Sequence, residues 1–256
     1  MLALTREITP AIASCELTHL AREPIDLARA RREHDAYGDA LRGAGCRVER
    51  LSADDTMADA VFIEDTAVVL DELAIIARPG AESRRREVDA VRDALRAHRT
   101  VAAIVAPGTL DGGDVLRIGR RLLVGDGPRT NEEGRRQLAA LVAPHGYRVE
   151  TIAFSGCLHL KTAVTLVADD VVLCNPRWAN RGALGVRGVI EVDPSEPFAG
   201  NALRIGDRVL HPAEFTRTGE RLRRAGLTVV AVPAGELAKA EGGLTCGSLL
   251  VAEVEG

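Results

Sequence analysis

Two side chains of this sequence can perform covalent chemistry if the fold brings them together: the thiol of Cys246 and the imidazole of His159. A thiolate is a strong nucleophile when its pKa is lowered or when a base lies beside it. A histidine can protonate a leaving amine and then activate a water molecule. Each residue alone is as compatible with a buried core position as with a catalytic role. The prediction of nucleophilic catalysis therefore depends on both residues being in one pocket.

The acidic residues indicate what such a nucleophile would attack. Asp59, Glu64, Asp65 and Asp111 would raise the pKa of a neighbouring thiol through repulsion between like charges. They are compatible with a thiolate if the substrate is a cation, and a planar guanidinium matches carboxylates bidentately. Peptide or ester chemistry would instead favour oxyanion donors. The set therefore predicts attack on the guanidinium carbon of an arginine-like small molecule.

These residues share one register of an internal repeat. An apolar strand, a polar turn and a second apolar strand recur at a period of roughly 40–50 residues. A polar or reactive residue opens the first strand of each copy: Asp65, Asp114, Lys161, Asn201 and Cys246. Equivalent positions in a ring of repeats converge on one axis, and His159 and Asp111 lie just before two of these strands. We therefore expect all of them at one site.

Helices follow several of the hairpins. Residues 83–98 are predicted to form a helix capped by Ser83, a second helix has Leu138 and Val142 on one face, and a third spans 217–225. The last copy lacks a helix, which we expect residues 25–41 to supply. The sequence predicts an α/β fold of ββαβ-type repeats closed into a ring, in a single domain over residues 1–256 whose last repeat is completed by the N-terminal segment. An ordinary α/β sandwich is the alternative.

Composition argues against several other classes of protein. The chain has 256 residues and a formal net charge of -4, whereas nucleic-acid-binding proteins usually have a basic face. No apolar segment is long enough to suggest a membrane span or a signal peptide. The five cysteines form no CxxC pair, so neither a zinc site nor a disulfide framework is predicted. We expect a cytoplasmic enzyme without metal or cofactor, a monomer or homodimer, that binds a small molecule and neither nucleic acid nor membrane.

Four motifs resemble those of the dimethylarginine dimethylaminohydrolases and occur in the order found in that family. They are Phe62-Ile63-Glu64-Asp65-Thr66-Ala67, Thr109-Leu110-Asp111-Gly112-Gly113-Asp114, Leu158-His159-Leu160-Lys161 and Leu244-Thr245-Cys246. The resemblance covers nearly the whole chain and implies the five-bladed α/β-propeller, or pentein, fold around a central active-site channel. It also implies hydrolysis of mono- or dimethylated Nω-methylarginine to L-citrulline and a methylamine, through a covalent thiouronium intermediate.

The resemblance further implies a role for individual residues. Cys246 is the expected nucleophile, His159 the acid and base, and Asp111 the carboxylate that orients His159. Seven residues are expected to contact the substrate: Glu64 and Asp65 at the guanidinium, Arg84 and Arg129 at the α-carboxylate, Asp59 and the backbone of Leu17 at the α-amino group, and the backbone of Ala240. The segment around Leu17 is expected to be a mobile lid. Ala240 stands where the family has a bulkier residue.

Two other functions remain open. Arginine deiminases resemble this chain but usually have an aspartate two residues after the histidine, where this sequence has Lys161. They also usually have an added helical insertion, for which this chain has no room. A non-catalytic pentein that binds a partner would lack the cysteine and the histidine. We therefore expect a dimethylargininase, with a deiminase and a binding protein as the alternatives.

Overall fold

The apolar runs form antiparallel hairpins, and a third, parallel strand extends each hairpin. The computed structural model describes residues 1–253, and this part contains five three-stranded sheets. The strands are β1 (Leu2–Arg6), β2 (Arg47–Leu51), β3 (Ala67–Val69), β4 (Leu73–Ile76), β5 (Thr100–Ala103), β6 (Val115–Ile118), β7 (Arg121–Gly125), β8 (Arg148–Ile152), β9 (Val164–Ala168), β10 (Val171–Cys174), β11 (Gly188–Glu191), β12 (Leu203–Ile205), β13 (Arg208–Pro212), β14 (Thr228–Val232) and β15 (Leu249–Val251).

Four of the sheets are built from consecutive strands, in the orders β3-β4-β5, β6-β7-β8, β9-β10-β11 and β12-β13-β14. The fifth sheet joins the beginning of the chain to its last strand. In it β1 pairs antiparallel with β15, with Leu2 opposite Val251, and parallel with β2, with Leu2 opposite Arg47. The strand that follows Met1 thus lies in the same sheet as the strand that follows Cys246.

The sheets close into a ring because alternate residues of a strand point to opposite faces. On β4, Ile75 packs with Val124 of the next sheet, whereas Ile76 packs with Leu249 of the preceding one. Further apolar clusters join the second sheet to the third, the third to the fourth and the fourth to the fifth. Since every sheet is apolar on both faces, the five sheets form the blades of a five-bladed α/β-propeller, as the repeat and the resemblance predicted.

In four blades a helix lies between the second and third strands: α1 (Leu27–Gly43), α2 (Val88–Arg96), α3 (Glu132–Val142) and α5 (Thr216–Arg224). Two single helical turns, α4 (Leu160–Ala163) and α6 (Gly235–Ala238), lie in the connections between blades. In the third blade, β10 and β11 are joined through a 3-10 turn over Arg181–Ala183. Within residues 1–253, no helix is long and apolar enough to cross a membrane.

The helix predicted over residues 83–98 differs from the structure. A 3-10 turn over Glu82–Glu87 precedes α2, and Ser83 does not cap it but donates a hydrogen bond to Glu16 Oε1 at 2.6 Å. Residues three apart are eclipsed in a 3-10 helix. This spacing places the buried side chains of Arg84 and Glu87 side by side, 2.9 Å apart.

The polar residues predicted to open the strands lie instead before them, and four of the five are in short helical turns. Asp65, Asp114 and Cys246 are in 3-10 turns, Lys161 is in α4, and Asn201 lies two residues before β12. Four of these turns have a backbone hydrogen bond to the carbonyl three residues earlier: Asp65 to Phe62, Asp114 to Asp111, Thr162 to His159 and Cys246 to Gly243. In a continuing strand, side chains would alternate between neighbouring blades, and the turn releases these residues from that alternation.

Candidate active site

The short turns contact one another at the propeller axis, where they border a small cavity. Seven of the ten residues predicted for the site line this cavity: Asp59, Asp65, Arg84, Arg129, His159, Ala240 and Cys246. The lining also includes Glu16, Phe62, Leu158, Glu241 and Gly242. The thiol and the imidazole, which are 87 positions apart in the sequence (246 − 159), therefore share one pocket.

Cys246 is buried in the turn before β15. The N–H of Gly243 donates a hydrogen bond to its sulfur at 3.3 Å. Burial raises the pKa of the Cys246 thiol to about 12, and the charges of Glu64 and Asp65 act in the same direction. The side chain is therefore a neutral thiol at neutral pH when no cation is in the cavity.

The imidazole of His159 lies between two buried carboxylates. Its Nε2 is 2.9 Å from Asp111 Oδ2, and its Nδ1 is 3.6 Å from Asp65 Oδ1. Burial disfavours the imidazolium, but the charge of Asp65 and the hydrogen bond with Asp111 outweigh it and raise the pKa of His159 to about 9. His159 is therefore a protonated acid at neutral pH. The three side chains also place their donor atoms within 4.8 Å of one another, a spacing that a metal ion could use.

The glycine pair Gly112-Gly113 lets the chain pass close to these residues, as expected from the motif. A Cβ on Gly112 would lie 2.0 Å from the carbonyl oxygen of Glu64. A Cβ on Gly113 would lie 2.6 Å from Asp65 Oδ1 and 2.8 Å from the ring of His159. The N–H of Gly113 donates to that same Asp65 oxygen at 3.0 Å. The pair is thus required by close approach and is more than a turn.

Asp111 and Asp114 each have a distinct position around the histidine. Asp111 Oδ1 accepts the N–H of Gly80 at 2.9 Å, which leaves Oδ2 for the imidazole. Asp114 accepts the N–H of Leu160 at 3.1 Å and the hydroxyl of Thr130 at 2.7 Å. Asp114 thereby fixes the turn that begins directly after His159. Neither aspartate lines the cavity, because both lie beneath its wall.

Arg84 is an internal partner of the acidic cluster as well as part of the cavity wall. Its Nη1 lies 2.6 Å from Asp65 Oδ2, and its Nε and Nη2 lie 3.1 and 2.9 Å from Glu87 Oε2. Burial opposes ionisation of Asp65, but the charges of His159 and Arg84 lower the pKa of Asp65 below its ordinary value. Arg84 therefore keeps Asp65 ionised beside the histidine.

Arg129, in contrast, is half-buried on the cavity wall and has no ion-pair partner within residues 1–253. Its guanidinium is therefore available to an anionic group in the cavity. Asp59 accepts the N–H of Glu16 at 3.2 and 3.3 Å on its two oxygens. Leu17 is not on the cavity wall itself, but it packs in the apolar cluster that contains Ala240 and Cys246.

Comparison with known proteins agrees with this geometry. A family model described as "N,N dimethylarginine dimethylhydrolase, eukaryotic" matches residues 15–177. A curated N(G),N(G)-dimethylarginine dimethylaminohydrolase from Streptomyces coelicolor is 40% identical over 253 residues, or 98% of this chain and 97% of the relative. This chain belongs to the dimethylarginine dimethylaminohydrolase family. The member of that name from Pseudomonas aeruginosa is 33% identical over 234 residues, or 91% of each chain.

Solved structures of the dimethylarginine dimethylaminohydrolase family are similar to this chain along its length. A cysteine-to-serine mutant from Pseudomonas aeruginosa, complexed with citrulline, has a TM-score of 0.90 at 31% identity and covers 96% of this chain and 97% of its own. A histidine-to-glycine variant, described as an adduct with S-methyl-L-thiocitrulline, has a TM-score of 0.90 and 31% identity, covering 96% and 98%. A cyanobacterial arginine dihydrolase domain, at 19% identity and a TM-score of 0.82, shares the fold.

Glu64 was predicted to contact the substrate guanidinium, but it does not line the cavity. Its carboxylate pairs with the ammonium of Lys161 and accepts the hydroxyl of Thr245 at 2.7 Å. These three residues line a second cavity, of about 450 Å³, that also borders the hairpins of several blades. The lysine found where arginine deiminases usually have an aspartate thus forms an ion pair with Glu64, a pairing that was not predicted from the sequence.

Glu241 is a further residue of the site, and it was not predicted from the sequence. Its carboxylate lies on the cavity wall and binds the segment around Leu17. The residue has a left-handed backbone, with φ of 59°. Its position directly before the glycine pair Gly242-Gly243 is the signal that could have identified it, because a glycine pair shortly before the nucleophile indicates a close approach of the backbone.

Proposed function

We propose that this chain hydrolyses Nω-methylated arginine to L-citrulline and a methylamine, with Cys246 as the nucleophile and His159 as proton donor and acceptor. The observation that carries the proposal is that both side chains line one cavity together with Asp65. Membership of the family supports the substrate class. The structure of the relative from Pseudomonas aeruginosa in complex with citrulline supports the identity of the product.

The positive charge of the substrate favours ionisation of the Cys246 thiol to the thiolate. The pKa of Cys246 is raised by burial and by neighbouring acids, so the thiol is neutral in the absence of a cation. A guanidinium beside the sulfur lowers that pKa, and the thiol proton is released to solvent. The thiolate then forms a bond to the guanidinium carbon, and the electrons of the C=N bond move to nitrogen.

His159 provides the protons for the remaining steps. The imidazolium donates its proton to the methylated nitrogen, the C–N bond breaks, and the methylamine leaves a covalent thiouronium on Cys246. The neutral imidazole then takes a proton from water, whose oxygen attacks the same carbon. As the carbonyl forms, the remaining hydroxyl proton is released to solvent and the C–S bond breaks, so that L-citrulline is released and the sulfur leaves as a thiolate. Asp111 and Asp65 favour the imidazolium and so support its two roles.

The rest of the cavity is assigned to the amino-acid end of the substrate and to the guanidinium. Arg129 binds the α-carboxylate, since its guanidinium has no internal ion-pair partner in the described chain. Asp59 and the backbone carbonyls of Leu17 and Ala240 accept hydrogen bonds from the α-ammonium. Asp65 accepts hydrogen bonds from the guanidinium nitrogens that are not methylated.

Arg84 and Glu64 contribute less directly in this proposal. Arg84 adds positive charge on the α-carboxylate side of the cavity wall, while its hydrogen bonds hold Asp65 in place. Glu64 adds negative charge near the sulfur of Cys246, and a bound guanidinium would compensate this charge. Its oxygens are already paired with Lys161 and Thr245, so it acts on the guanidinium through its field.

A colorimetric citrulline assay with arginine, monomethylarginine and asymmetric dimethylarginine tests the proposal. We expect citrulline from the methylated substrates and none from the folded Cys246→Ser variant, because an alkoxide is far less accessible than a thiolate. Cys46→Ser, at a buried cysteine remote from the cavity, is the matched control and should retain turnover. Citrulline mainly from arginine would instead show a deiminase, and no product from any of the three substrates would favour a binding protein.

A further inference from the structure

One carboxylate oxygen of Glu241 accepts three consecutive backbone hydrogen bonds. Glu241 Oε1 lies 2.9 Å from the N of Thr18, 2.5 Å from that of His19 and 2.7 Å from that of Leu20. Successive N–H groups that converge in this way form a binding site for an anion. Hydrogen bonds to an ionised acceptor are roughly twice as strong as those between neutral groups. Glu241 is therefore a strong attachment point for residues 18–20.

These contacts hold the outer part of the segment that adjoins the cavity. Its inner end is attached elsewhere, because Glu16 binds Asp59 and Ser83, and Arg22 donates to the carbonyl of Cys15 at 2.6 Å. In the described chain, the N–H groups of residues 18–20 have no hydrogen-bond acceptor other than Glu241. Thr18 and His19 are otherwise exposed to solvent. The closed position of the outer part thus depends on a single carboxylate.

Glu241 is itself held rigidly. Its φ of 59° is uncommon for a residue other than glycine, and such strained positions persist only where the surrounding structure fixes them. The next residue, Gly242, is pressed against the cavity wall, since a Cβ there would lie 2.3 Å from the ring of Phe62. The same segment leads directly to Cys246. Glu241 therefore cannot follow an outward movement of residues 18–20 without disturbing the nucleophile's own turn.

We propose that Glu241 is a positioning residue that latches residues 18–20 over the cavity and thereby holds the backbone of Leu17 at the amino-acid end of the substrate. The part that concerns the substrate rests on the proposed function, whereas the latch itself does not. The second carboxylate oxygen, Oε2, is buried with no hydrogen-bond partner in the described chain. An ammonium group of a bound ligand would be a suitable donor for it, so ligand binding and latching would support each other.

Hydrogen exchange of the peptide that spans residues 16–22 tests the latch without any substrate. We expect exchange roughly tenfold faster in Glu241→Gln and in Glu241→Gly than in the native chain, because both lose the ionised acceptor. Glu241→Gly also removes the backbone strain, which separates the carboxylate from the φ angle. Asp170→Gly is the matched control, since Asp170 is the other non-glycine residue among residues 1–253 with a positive φ, 58°, and lies in a remote turn. It should leave the exchange of 16–22 unchanged.

Native-like protection of residues 16–22 in both Glu241 variants would overturn the latch. Kinetics with asymmetric dimethylarginine then test its role toward substrate: KM should rise roughly tenfold in Glu241→Gln, with kcat changed by less than about threefold, because the reacting groups are untouched. Faster exchange with an unchanged KM would overturn that role. Absence of turnover in the native chain would count against the proposed function alone, since the exchange result does not depend on it.

Discussion

Nε2 of His159 lies 2.9 Å from Oδ2 of Asp111, and both side chains are buried. Because Asp65 faces the other ring nitrogen at 3.6 Å, the imidazolium is stabilised on both sides. Its pKa is raised from 6.5 to about 9 although burial acts in the opposite direction. The contribution of His159 protonation to stability is therefore full below about pH 6.5 and is lost as the pH rises through about 9.

Asp111→Asn should move the alkaline limit of activity to lower pH. The substitution keeps the shape of the side chain but removes a charged hydrogen-bond acceptor, worth about 1.5–3 kcal/mol, which corresponds to a pKa of His159 lower by roughly one to two units. Turnover requires the imidazolium, so the descending limb of kcat against pH should shift by a similar amount. Steady-state citrulline formation between pH 6 and 10 measures it.

Asp93→Asn, an exposed aspartate that pairs with Arg96 on α2, is the control and should keep the native pH profile. If Asp111→Asn lowers kcat while the alkaline limb stays where it was, Asp111 does not act through the protonation of His159.

Alkylation of Cys246 by iodoacetamide should report a neutral thiol in the empty cavity. The pKa of Cys246 is raised to about 12 by burial and the charges of Glu64 and Asp65. Since the thiolate is the reactive form, the rate should be low at pH 7 and rise about tenfold per pH unit through pH 10 without a plateau. Peptide mass spectrometry after timed labelling identifies the modified residue.

The buried Cys174, whose pKa is also raised by burial, to about 11, provides an internal control in the same samples. It is remote from the cavity, so its labelling in the same samples should also be low at pH 7 and rise with pH until it approaches about 11. A plateau of Cys246 alkylation near neutral pH would show a resting thiolate and would remove the need for a substrate cation.

Arg84 and Arg129 should respond differently to substitution by alanine. Arg129→Ala deletes a side chain that has no internal ion pair in residues 1–253, so KM should rise about 10- to 100-fold, as expected for one charged hydrogen bond, with little change in Tm. Arg84→Ala leaves Asp65 and Glu87 buried without their partner. Breaking a buried pair in this way costs about 3–5 kcal/mol, so Tm and kcat should both fall.

Thermal unfolding and steady-state kinetics on both variants measure these effects, with Arg96→Ala as the control at an exposed pair on α2. Equal losses of Tm in the two cavity variants would contradict the difference in internal pairing. An unchanged KM in Arg129→Ala would remove that residue from the substrate contacts.

The sequence was sufficient to predict the ring of hairpins, because alternation on strands such as β4 and β7 is apolar on both faces and repeats at a regular period. The convergence of Cys246 and His159 followed from that register, and the structure confirms that they line one cavity. The predicted ββαβ repeat includes a third strand, but the positions of the third strands were not assigned, since edge strands such as β5 and β8 are only partly buried and carry a weaker apolar pattern.

Pairings between distant buried charges could not be predicted from the pattern. The contact of Lys161 with Glu64 joins residues 97 positions apart, and that of Glu241 with Thr18 joins residues 223 apart. Their geometry depends on the exact placement of turns, which hydrophobic periodicity does not fix. The same limit applies to Arg84. It was predicted as a contact of the substrate α-carboxylate, and the sequence did not reveal that Asp65 and Glu87 already accept most of its hydrogen bonds.

His34 should make the chain less stable in mild acid. Its ring is buried on α1, and its Nε2 has no hydrogen-bond partner in the described chain. Burial, with a smaller contribution from the charge of Arg50, lowers the pKa of His34 from 6.5 to about 4, against the opposing charge of Asp35. Between these two pH values the unfolded chain binds more protons than the folded chain, so the free energy of unfolding falls as the pH is lowered. The full loss of unfolding free energy from this group is about 3 kcal/mol.

His34→Gln cannot titrate at this position and should lose less stability than the native chain between pH 7 and 4.5 in urea unfolding. His145→Gln, on the turn after α3, is the control and should show the same dependence of the unfolding free energy on pH as the native chain. Parallel pH dependences for His34→Gln and the native chain would show that another buried group, and not His34, determines the loss of stability in acid.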